Sequence, residues 1–101
     1  MKDIGLFISL LTDVIGFAKT EEAQIKQGKA SKWSISQLHD IILPEMCELL
    51  TYANKGKVYF KYGKKQRMLL STYLLTDSLE NLNKTELGSK ISKLQQFYNS
   101  L

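Results

Sequence analysis

KGKVYFKYGKKQR, residues 55–67, decides how the rest of the chain is read, because it interrupts helix-like sequence on both sides with glycines, rings and positive charge. It holds six of the 14 Lys and Arg residues (55, 57, 61, 64, 65 and 67) and none of the ten Asp and Glu. Elsewhere eight bases face ten acids, so the net charge of +4 is generated locally. Concentrated charge of one sign marks a place where something acidic can bind, and it equally describes a solvated loop between helices. Val58, Phe60 and Tyr62 alternate with Lys57, Tyr59 and Lys61. That period of two predicts a short extended segment near 57–62, with Gly63 as the turn after it.

Beyond the segment two periods compete. Met68, Leu70, Thr72 and Leu74 alternate as in a strand, whereas Met68, Leu75, Leu79 and Leu82 share one helical face. Length favours a helix over about 66–78, since the apolar pattern outlasts the usual five or six residues of a strand. The Ser, Thr and Tyr content favours a strand, and the alternative is therefore an α+β fold with a hairpin at 57–75. Further on, Asn83 with Glu86 suits a capping box and Leu82 with Leu87 a hydrophobic staple, so a last helix is expected to start near Lys84. Leu87, Ile91, Leu94, Tyr98 and Leu101 then line one face. Gly88 weakens the first turn unless close packing there needs its missing side chain. The short junction at 82–84 makes the last two helices antiparallel neighbours.

Towards the N-terminus, Ile4, Phe7, Ile8, Leu11, Val14, Ile15, Ala18 and Ile25 recur at spacings of three and four, which predicts an amphipathic helix over about 3–27. Leu6, Leu10 and Phe17 form a second row on it. Burial of that row is expected in preference to contact with another molecule, because exposed apolar patches are the exception. Residues 26–32 read as a loop. Ser34 with Gln37 makes a capping box and Trp33 on Leu38 a staple, so a second helix begins at Ile35 and sends Leu38, Ile41, Ile42, Met46, Leu49, Leu50 and Ala53 to the core. Pro44 interrupts it and predicts a kink or break at 40–43, and Asn54 with Gly56 ends it.

A chain of 101 residues that is 44% hydrophobic supports one core and no separate catalytic lobe, so residues 1–101 form a single domain. The expected fold is mainly α: a small antiparallel bundle of about four helices, with the short extended segment near 57–62. The one cysteine, Cys47, rules out an internal disulfide and fits a reducing compartment, which makes the cytoplasm the expected location. The apolar run at 4–11 is bracketed by Asp3 and Asp13 and falls short of the roughly 18–20 uncharged residues of a bilayer span. Neither a signal peptide nor a membrane span is expected.

One Cys and one His are too few for a structural zinc site. His39 and Cys47 lie about 12 Å apart along one helix, too far for a nucleophile and its base. Cys47 is expected in the core and His39 on the surface or at a cap. Asp40, Glu45 and Glu48 read as a solvated acidic face. The glycine spacings of phosphate-binding loops are missing. The expectation is therefore a protein that is no enzyme, with no cofactor and no metal.

The rings and bases of 55–67 could anchor an interface, and Tyr59, Phe60, Lys61, Tyr62, Lys64, Lys65 and Arg67 are the candidate partner-binding residues. The leading reading is a non-catalytic module that masks another protein, such as a toxin-neutralising immunity protein or an antitoxin-like inhibitor. In size, basic charge and four-helix outline the chain is similar to the cytoplasmic bacteriocin immunity proteins. That similarity implies a toxin as the partner, and it assigns no site positions, because it rests on no motif matched residue by residue. The alternative is a small regulator that binds nucleic acid through the same segment, with lysines on phosphates and rings stacked on bases. The acidic second helix could meet the basic segment either within one chain or across a homodimer, so a homodimer is compatible with either reading.

Overall fold

The computed structural model describes residues 3–58, 68–77 and 81–101. Helix α1 spans Ile4–Lys26, a π-helical segment Ser36–Ile42 leads into α2 at Leu43–Ala53, α3 spans Leu70–Asp77, and a 3-10 turn at Leu82–Lys84 precedes α4 at Glu86–Ser100. The fold is a small, mainly α-helical bundle, with no strand among the described residues. The helix at Leu70–Asp77 rules out the hairpin alternative at 57–75. Of the extended segment expected near 57–62, only Lys57 and Val58 lie among the described residues.

Helix α1 is the element on which the others pack, touching the π-helical segment, α2 and α4. Asp3 starts it from a left-handed backbone conformation, with Oδ1 accepting the amide of Leu6 at 3.1 Å. This is the usual service of a short carboxylate to a helix's unpaired first amides. Phe7, Leu11, Val14, Ile15 and Ala18 are buried, and Ile4, Ile8 and Ile25 pack against the core more peripherally. The second row departs from expectation. Leu10 and Phe17 are half-buried, but Leu6 is 45% exposed: it sits one residue, about 100° of helix, from the buried Phe7.

The second helix begins as its sequence predicts. Ser34 Oγ accepts the amide of Gln37 at 3.1 Å while Gln37 Oε1 accepts the amide of Ser34 at 2.9 Å, and Trp33 and Leu38 are both buried. Pro44 produces a change of helix type. The amide of Leu43 bonds back five residues to the carbonyl of Leu38, the wide repeat of a π-turn. Pro44 then falls in the first turn of α2, where a missing amide costs nothing. Ile42, Met46, Leu49 and Ala53 enter the core, with Ile41 and Leu50 half-buried. Cys47 is exposed, which corrects its expected place in the core: it sits one residue, about 100° of helix, beyond Met46.

The start of α4 also needs correction. Thr85, not Asn83, is the cap. Its Oγ1 accepts the amide of Gly88 at 3.0 Å and the indole N–H of Trp33 at 3.2 Å, and its own hydroxyl donates to the carbonyl of Leu82. Leu87, Ile91, Leu94 and Tyr98 are buried along the predicted stripe, with Leu101 half-buried at its end. Gly88 is required by packing, since a Cβ there would stand 1.9 Å from the carbonyl oxygen of Leu82. Across the seam between α1 and α4, Lys90 donates to Asp13 at 2.7 Å and lies 5.2 Å from the centre of the Phe17 ring. The hydrogen bond to that carboxylate raises the pKa of Lys90.

Gly16 differs from Gly88, because a Cβ added there meets nothing within 4 Å. Gly16→Ala is expected to stabilise the protein by up to about 1 kcal/mol through helix propensity. Gly88→Ala is expected to destabilise it by about 1–3 kcal/mol, because backbone has to move. Urea unfolding of the two variants checks the contrast, and an equal response at both positions would contradict it.

Candidate partner-binding surface

Tyr59, Phe60, Lys61, Tyr62, Lys64, Lys65 and Arg67, the seven side chains selected from sequence, lie outside the described residues. The structure does define the two ends of the segment that carries them. At the first end α2 closes with the amide of Lys55 on the carbonyl of Tyr52 at 3.0 Å and that of Gly56 on Ala53 at 2.9 Å. Gly56 has φ of 75°, a left-handed conformation that a glycine adopts without strain. The amide of Lys57 then returns to the carbonyl of Tyr52 at 3.0 Å, and Val58 packs partly against the core. Lys55 and Lys57 are exposed, with the Lys55 ammonium 5.8 Å from the centre of the Tyr52 ring.

The second end is built from side chains of two other helices. Glu45 of α2 accepts the amides of Leu70 at 2.7 Å and Ser71 at 2.8 Å, together with the Ser71 hydroxyl at 2.7 Å. Gln95 of α4 accepts the amide of Leu69 and the hydroxyl of Thr72, both at 2.8 Å, and its own amide group donates to Asn99. Helix α3 therefore has its first amides capped from outside its own sequence, by a charge of the sign that a helix N-terminus favours. Leu69, Ser71 and Thr72 are buried beneath this arrangement. Glu45 thus corrects the expectation of a wholly solvated acidic face. Asp40 and Glu48 are exposed as expected.

The two ends stand about 10 Å apart along α2, from Tyr52 at one to Glu45 at the other, at 1.5 Å per residue. Between them α2 presents Cys47, Glu48 and Thr51 to the surface. Just past the second end, Leu70 is 53% exposed and Tyr73, one turn on, is 48% exposed. Sequence reasoning assigned both to a helix without recognising them as surface groups. The signal was available: a face made of Ser71, Thr72 and Leu75 could be buried only by turning Leu70 and Tyr73 outward.

His39 and Cys47 do not come together as a reactive pair. His39 Nδ1 lies 3.1 Å from Glu22 Oε1 of α1, which also pairs with Lys26 at 3.3 Å. No cluster of His, Cys, Asp and Glu suited to a metal ion occurs among the described residues. No protein-family model, curated protein or solved structure matches the chain.

Removing the Glu45 carboxylate leaves two backbone amides and a buried hydroxyl without their acceptor. Glu45→Ala is expected to cost about 1–3 kcal/mol of stability, and Glu45→Gln less, since one acceptor oxygen remains. Urea titration followed by circular dichroism measures both. A loss under about 0.5 kcal/mol for Glu45→Ala, the range of an ordinary surface change, would show that the cap carries no weight.

Proposed function

We propose that the chain is a non-catalytic protein-binding module that acts by steric masking, with the basic segment 55–67 and the adjoining face of α3 as its docking surface. The observation that carries this reading is the pair Leu70 and Tyr73. They are two large apolar side chains, exposed one turn apart, on a helix whose start is tied to α2 and α4. An exposed ring beside an aliphatic group on a fixed support is the usual centre of an interface, and charge belongs at its rim. The sequence places six Lys and Arg immediately before that pair. The partner best suited to such a surface is a protein with an apolar hollow and an acidic border.

A toxin held inactive by occlusion is the specific form we favour, in keeping with the helical bundle and basic charge. Masking needs only surface complementarity, so it asks for no catalytic group. A nucleic acid would use the bases of 55–67 without needing Leu70 and Tyr73, and this difference separates the two readings.

Two variants test the proposal against a partner recovered with the protein from its native host and identified by mass spectrometry. Replacing Lys61, Lys64, Lys65 and Arg67 by glutamate should abolish binding in titration calorimetry with the helical circular dichroism unchanged. Leu70→Ser with Tyr73→Ser should weaken binding by at least about tenfold. Normal binding by both would reduce the segment to a loop. Affinity for a random DNA duplex should stay micromolar or weaker as salt is lowered, and tight binding that collapses steeply with salt would favour the nucleic-acid regulator instead.

A further inference from the structure

We draw no further inference here: the strongest candidate, the outer face of α1 with its shallow hollow lined by Leu10, Asp13, Gly16 and Phe17, is a helix face for which nothing in the structure shows what covers it.

Discussion

A single carboxylate governs how this bundle closes. Glu45, near the start of α2, accepts two consecutive backbone amides and a buried hydroxyl from the first turn of α3. Helix α3 has only eight residues, too short to be stable by its own hydrogen bonds. Its place depends on what holds it. Glu45 supplies the acceptor and the charge that complements the helix dipole, and Gln95 supplies a second acceptor from α4. Among the described residues, no buried side-chain nitrogen or oxygen lacks a partner. The polar contacts around α3 are therefore a complete network, and such networks fix one arrangement when every member is satisfied.

For the proposed docking surface, this anchor matters because of where it lies in the chain. Before residues 59–67 α2 ends in a turn closed on Tyr52, and after them the amides of Leu70 and Ser71 meet Glu45, near that helix's other end. The exposed pair Leu70 and Tyr73 follows at once. A surface meant to bind needs groups that keep their position without the partner, since ordering them on binding subtracts from affinity. Glu45 and Gln95 give α3 that fixity.

Much of the fold was legible in the sequence wherever the determinants were local. The stripes on α1 and α4 follow a helical period, and Ser34 with Gln37 forms the box its spacing predicts. What escaped was decided by contacts between distant residues. Glu45 looks like one of three acids on a solvated face, because the amides it serves lie 25 and 26 positions further on. Ser71 and Thr72, whose β-leaning character pulled towards a hairpin, are buried in a helix because Glu45 and Gln95 receive their hydroxyls. Thr85 displaces Asn83 as a cap because its hydroxyl also meets Trp33, 52 residues away. Pro44 announced a break, and the π-turn is the mild form of it, keeping the helix continuous while removing the need for one amide. The seven candidate binding side chains were chosen from charge and ring content alone. They lie outside the described residues, and only the contacts on either side of them, at Tyr52 and at Glu45, come from the packing of α2 and α3.

Hydrogen exchange at the backbone amides of Leu70 and Ser71 in the unmodified protein measures the anchor most directly. Held by the Glu45 carboxylate, they should exchange within about tenfold of the amides in the middle of α4, through the same cooperative opening. Exchange at the rate of unstructured chain, with α1 and α4 still protected, would mean that α3 is not fixed, and the surface built on it would lose its support.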